Sequence, residues 1–175
     1  MKKLLGEERR LKLLTLLKQQ QRPITGTDLA KHTNVSRQVI VNDMNLLKAR
    51  NEPIVATSQG YLYMEEQRTG IFERKIVCMH TGEQTREELY TIVDCGVTVE
   101  NVIIEHAVYG EITASILVSN RLEVDLFLDK LAETNANFLS ALTGGTHLHV
   151  ISASSEDLLD KAVDRLREKG LLVEN

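Results

Sequence analysis

Apolar positions in the first third of the chain recur at helical spacing. From Glu7 to about Gln20, Leu11, Leu14 and Leu17 recur every three residues and Leu13 and Leu16 widen the stripe. Arg9, Arg10, Lys12 and Lys18 lie around it, which predicts an amphipathic helix ended by Arg22–Pro23. Thr25 to Arg50 holds two shorter helical patterns with a break at Thr33–Asn34–Val35. Thr25 suits the N-cap of the first, with Asp28 as its capping-box partner and Leu29 and Ala30 turned inward. Ser36 suits the N-cap of the second, because its hydroxyl can accept from a backbone N–H two or three residues on. In that second helix Ile40, Met44 and Leu47 share a face toward a core. The opposite face carries Arg37, Gln38, Val41, Asn42 and Asn45, mostly polar and free of acid. After the breaker Asn51–Glu52–Pro53, Ile54–Ala56 and Tyr61–Tyr63 are β-prone runs around a turn at Thr57–Ser58–Gln59–Gly60.

Three helices followed by a hairpin is the winged form of the helix-turn-helix, whose recognition helix enters a major groove. The polar joint Glu65–Gly70 then marks a boundary between a DNA-binding domain at residues 1–66 and a second domain at 70–175. In the second domain Arg74–His80 reads as a strand and Thr85–Cys95 as a helix, capped by Thr85 and closed by Gly96. Val97–Glu105 and Ile112–Ser119 read as strands, with Tyr109–Gly110–Glu111 near the turn. Arg121–Glu133 reads as a helix with Val124, Phe127, Leu128 and Leu131 inward, and His147–Ser152 as a strand. A last helix, Glu156–Lys169, is capped by Ser154 or Ser155 and ended by Gly170, whereas periodicity leaves Phe138–Leu142 unassigned. The order β-α-β-β-α-β plus a final helix predicts an α+β open-sheet sandwich with helices on one face, ferredoxin-like or close to it.

The composition is that of an ordinary globular chain, 42% hydrophobic and 26% charged over 175 residues. No apolar run approaches the roughly 20 residues of a membrane span. The start, MKKLLGEERR, lacks the apolar stretch and cleavage site of a signal peptide, so a cytoplasmic protein with no membrane partner is expected. The net charge of −4 hides an asymmetry: residues 1–65 carry +5 and residues 66–175 carry −9. Only the first part is therefore expected to meet a polyanion. Cys78 and Cys95 stand apart with no CxxC pair, which disfavours a closed cysteine zinc site and makes reduced thiols the default.

Four of the five histidines, His80, His106, His147 and His149, fall in the second domain. His147 and His149 are two apart on a strand, so their rings share a face. An HxH pair alone is more often exposed than metal-binding. His80 ends the first strand, and Glu88 lies eight residues later on the first turn of the next helix, where the two side chains can meet, although for this pair alone a solvated helix start is the commoner reading. Imidazoles with a carboxylate suit nickel, zinc or iron. No nucleophile motif appears and only Glu105 or Glu111, near His106, could serve as a base, so a metal-dependent hydrolase or amidase is not expected.

Two resemblances sharpen these expectations. The run SRQVIVNDMNLLKARNEPIVATSQGYLY resembles the winged helix-turn-helix modules of bacterial repressors of the biotin-repressor type. That resemblance implies base contacts from Ser36, Arg37, Gln38, Val41 and Asn42, with the wing on backbone or minor groove. The segments RKIVCMHTGEQTREELYTIVDCG, VIIEHAVYGEI and LTGGTHLHVISA resemble the 3H domain, and the whole chain resembles the niacin-responsive repressors of bacterial NAD metabolism, the NiaR family. This second resemblance implies a divalent metal, nickel foremost with zinc or iron as alternatives, on His80, Glu88, His147 and His149. It also implies a homodimeric repressor of NAD biosynthesis or niacin uptake genes that binds double-stranded operator DNA with nicotinic acid as corepressor. The family pattern usually has proline after the middle histidine. Here Ala107 follows His106, and His106 with Tyr109 is assigned to the effector and not to the metal. The alternative is a nickel- or zinc-responsive regulator with no organic effector.

Overall fold

The computed structural model describes residues 5–20, 22–64 and 70–174, and its contacts divide the chain into two compact units, Met1–Gln67 and Arg68–Asn175. Residues 65–69 of the polar joint lie outside the described residues. No helix among the described residues is long and apolar enough to cross a membrane.

The first unit packs α1 (Gly6–Gln19), α2 (Gly26–Thr33) and α3 (Arg37–Ala49) under a hairpin of β1 (Ile54–Thr57) and β2 (Gly60–Tyr63). Leu13, Leu17, Leu29, Ile40, Met44 and Leu47 form its core. The expected stripe at 11, 14 and 17 is displaced: Leu11 is 60% exposed, whereas Leu13 and Leu17 are buried. A step of three residues falls about 60° short of a helical turn, so a three-step series drifts off the contact face while the i, i+4 pair stays on it. Thr25 caps α2, its hydroxyl accepting from Asp28 N at 3.1 Å and donating to Asp28 Oδ2 at 2.8 Å. Asp28 thus answers the hydroxyl itself, not the backbone N–H of a capping box. Ser36 Oγ accepts from Val39 N at 3.4 Å and starts α3. Between the two helices Asn34 takes the left-handed conformation, φ 54°, that turns the chain. A Cβ on Gly60 would lie 2.3 Å from Ile24 O, so only glycine lets the wing bridge back to the segment before α2.

The second unit is a four-stranded antiparallel sheet of β3 (Phe72–Met79), β4 (Thr98–His106), β5 (Gly110–Val118) and β6 (Thr146–Ala153), in the order β3-β6-β4-β5. Helices α4 (Thr85–Val93), α5 (Arg121–Thr134) and α6 (Glu156–Glu168) supply the other half of its core. Leu89 and Ile92, Val124, and Leu159 and Leu166 of those helices meet Ile76, Val99, Ile116 and Ile151 of the sheet. The α+β class is as expected, but the order departs from a ferredoxin-like sheet. The second and fourth strands of the unit are central here, not the first and third, and the last strand inserts between β3 and β4.

Three local details also differ from the sequence reading. Thr81, not Thr85, caps the α4 segment, through a capping box with Gln84 at a 3₁₀ turn, Gly82–Gln84, that precedes the helix. The run Phe138–Leu142 becomes a 3₁₀ turn, Leu139–Thr143. Ser155 holds the N-cap position of α6 without a side-chain cap hydrogen bond. Beyond Gly170, Met79 N donates to Leu171 O at 3.1 Å and Val173 N to Val77 O at 2.9 Å, so the tail covers the free edge of β3.

Candidate metal centre and recognition helix

On α3, Ser36, Arg37, Gln38 and Asn42 are exposed and Val41 is half-buried. Gln38 Nε2 donates to Asn42 Oδ1 at 3.3 Å, one turn apart on the outer face. The acid of this helix is turned away: Asp43 is 2% exposed and held by Arg9 Nε at 2.5 Å and Arg10 Nη1 at 3.3 Å. The outward face at the start of α3 is left polar and carries Arg37.

In the second unit the register of β3 against β6 sets Cys78 opposite His147 and Ile76 opposite His149. Strand alternation turns His147 and His149 to the helix-bearing face, and His80 follows β3 directly. The exit of β3 is fixed by Gly145, φ 100°, where a Cβ would lie 2.4 Å from His80 O. Glu88, on the first turn of α4, drops between the three rings, and its side chain is 1% accessible. Its Oε2 lies 2.8 Å from His80 Nε2, and its Oε1 lies 3.1 Å from His147 Nε2 and 3.4 Å from His149 Nε2. The rings stand edge-on to one another, with centroids 4.9 Å apart for each neighbouring pair. The four residues expected as ligands therefore meet in one buried cluster.

The far side of each ring is also occupied. His80 Nδ1 lies 2.9 Å from Thr81 O, His147 Nδ1 2.9 Å from Gly145 O, and His149 Nδ1 2.6 Å from Asn101 O. A carbonyl oxygen only accepts, so each Nδ1 donates. That leaves three Nε2 atoms aimed at one carboxylate. His80 Nε2, His149 Nε2 and Glu88 Oε2 are buried with no hydrogen-bond partner despite their proximity. Burial opposes the charged forms of Glu88, His80 and His149, yet the mutual attraction prevails. Glu88 is held well below the usual carboxylate range by His149, His147 and His80. His80 and His149 are raised above the usual imidazole value by Glu88, with backbone carbonyls assisting.

Cys78 escaped the sequence reading. It is fully buried, and its Sγ, a Glu88 oxygen and a His147 nitrogen all lie within 4.8 Å of one another. Burial and the Glu88 carboxylate push its thiol up. The signal that could have found it is the spacing Cys78-x-His80, which repeats the spacing His147-x-His149 on the partner strand. His106 and Tyr109 lie elsewhere. His106 Nδ1 accepts from the backbone N–H groups of Val108 and Tyr109 at 3.2 and 3.3 Å, and its ring tilts over Tyr109. These two residues stabilise the β4–β5 turn and have no described contact with the Glu88 cluster.

A basic helix-turn-helix with a wing, followed by an α+β domain built over a buried His₃Glu cluster, defines a DNA-binding regulator of two domains. Residues 9–62 match an HTH domain family and residues 73–175 match the 3H domain family. The transcription repressor NadR of Bacillus subtilis (strain 168) is 53% identical over 175 residues, covering 99% of this chain and 97% of that protein. The probable transcription repressor NiaR of Thermotoga maritima is 36% identical over 172 residues, covering 98% of this chain and 97% of that protein. The chain belongs to the NiaR family of transcription repressors. Both relatives are named as transcription repressors, the second as a probable one.

Proposed function

We propose that the protein is a cytoplasmic, homodimeric repressor of NAD biosynthesis or niacin uptake genes, with nicotinic acid as corepressor and a divalent ion, nickel foremost, in its second domain. Ser36, Arg37, Gln38, Val41 and Asn42 contact operator bases, and two such helices sit one DNA turn, about 34 Å, apart in the dimer. His80, Glu88, His147 and His149 hold the ion, and His106 with Tyr109 contacts the effector.

The observation that carries the metal reading is the arrangement of lone pairs. Both nitrogens of all three rings face oxygens that only accept. A neutral imidazole has one proton for two such positions, and three imidazolium rings on one buried carboxylate would leave a large uncompensated charge. A divalent ion satisfies the three Nε2 lone pairs at once. The Nδ1–carbonyl contacts are the outer-shell bonds that orient metal-binding histidines. An ion held by His80, Glu88, His147 and His149 would supply positive charge to attract a carboxylate such as that of nicotinic acid.

The test is operator binding by the purified protein, with and without nicotinic acid, before and after chelation. The proposal expects tight binding only with both present. Binding that follows metal alone moves the protein to the metal sensors. Binding that ignores both removes the second domain from the switch. Arg37→Ala should weaken operator binding about tenfold or more, on the roughly 1–3 kcal/mol scale of a base contact. Unchanged affinity in that variant would remove α3 as the reading helix.

A further inference from the structure

The four-ligand site leaves one side chain of the cluster without a role. Cys78 sits on β3 two residues before His80 and opposite His147, while His149 lies opposite Ile76, so Cys78 and His80 are staggered against His147 and His149 around Glu88. Among the described residues, the group whose ligand atoms all lie within 4.8 Å of one another is Cys78, Glu88 and His147. Around that group, His80 Nε2, His149 Nε2 and Glu88 Oε2 are buried with no hydrogen-bond partner. We infer that Cys78 Sγ is a further donor to the same ion, making the centre a mixed nitrogen, oxygen and sulfur site. The inference rests on the metal reading above and deepens it.

Charge balance supports the sulfur. A divalent ion with Glu88 as its one anionic ligand leaves +1 inside a unit whose core here is Ile76, Leu89 and Ile92. Uncompensated charge in such surroundings is costly. Ligation by Cys78 breaks the S–H bond, forms the Sγ–metal bond and releases the proton to solvent, which brings the protein-plus-ion sum to zero. The sulfur also sets selectivity. A thiolate beside imidazoles favours zinc, cobalt and nickel over magnesium, calcium and manganese. With no ion present, Cys78 packs as a small apolar residue, consistent with its place in the core. The other thiol serves as a control: Cys95 Sγ donates to Thr91 O at 3.3 Å within the α4 segment.

The probe is cobalt(II), titrated into the full-length, metal-stripped protein under reducing conditions, with binding counted by equilibrium dialysis and read by absorption. The wild type should take up one cobalt per chain and show a sulfur-to-cobalt charge-transfer band in the near ultraviolet. Cys95→Ser should keep the band, and Cys78→Ser should lose it. Cobalt bound by the wild type without the band overturns this inference alone and leaves the histidine site standing. A band that survives in Cys78→Ser also overturns it. Failure of the wild type to bind cobalt at all overturns the metal reading and this inference together. The wild-type spectrum decides the matter even if the serine variant folds poorly.

Discussion

Loading the chelated protein with a divalent ion should raise the melting temperature of its second unit by about ten degrees. Without an ion, three Nε2 atoms converge on a carboxylate whose side chain is 1% accessible, while each Nδ1 is committed to a carbonyl. The folded state then holds either unmatched lone pairs or extra buried protons, and the unfolded chain escapes both. An ion that binds only the folded state adds RT ln(1 + [L]/Kd), about 2.7 kcal/mol at a hundredfold excess over Kd. For a unit spanning residues 68–175, an unfolding entropy near 2.1 cal/mol/K per residue translates each kcal/mol into about 4 °C. The product is a shift of about 11 °C.

Calorimetry of the full chain reads this as movement of one transition, with the transition of the first unit as an internal reference. Glu88→Ala removes the group that the three rings share. In that variant the ion should move the transition far less, because the site has lost its anionic oxygen. If nickel, cobalt and zinc all leave the wild-type Tm where chelator put it, the lone-pair argument is wrong. An undiminished shift in Glu88→Ala would place the ion elsewhere.

Two further predictions concern the first unit. Asp43→Ala removes the carboxylate that holds Arg9 and Arg10 at 2.5 and 3.3 Å, which should cost about 3 kcal/mol. Urea denaturation would show it as a lower midpoint for this unit, and an unchanged midpoint would remove the pair as a brace between α1 and α3. Glu7 lies between Arg50 and Arg10, whose hydrogen bonds lower its carboxyl from 4.5 to about 2. A depressed folded pKa gives stability that is present above the unfolded value and lost as pH falls through the folded one. The stability difference between wild type and Glu7→Gln should therefore be constant above about pH 4.5 and vanish toward pH 2. Parallel acid curves for the two proteins would refute this.

How far the sequence reached depended on the range of the interaction. Ser36 before Ile40, Met44 and Leu47 fixes the start and the inner face of α3, because a cap and an i, i+4 series act within a few residues. The HxH pair and the step from His80 to Glu88 are visible in the spacing for the same reason, but it is the resemblance to the 3H domain that singles them out as ligands. Cys78 was not legible, because its neighbourhood is set by the register that places it opposite His147, far away in sequence. Strand order was hidden too. Inward alternation at His147, His149, Ile151 and Ala153 is the same whether β6 lies at an edge or in the centre, and only the pairing with both β3 and β4 decides. Thr81 displaced Thr85 as the cap because a short 3₁₀ turn, invisible to a helical period, precedes α4.

That long range bears on what an ion could do here. His80 follows β3, Glu88 rides on α4, and His147 lies 59 residues beyond Glu88 on β6. These groups are neighbours only when α4 is packed on the sheet, so the unfolded chain presents no equivalent site. Binding energy gained at the cluster is then transferred to the contact between helix and sheet. An ion held by exposed carboxylates at the surface would titrate with the same stoichiometry, yet it would tie together nothing that folding had not already joined. Occupancy alone cannot separate the two cases. The loss of ion-dependent stability in Glu88→Ala can, because only a site built between α4 and the sheet makes the melting of the whole unit depend on that one carboxylate.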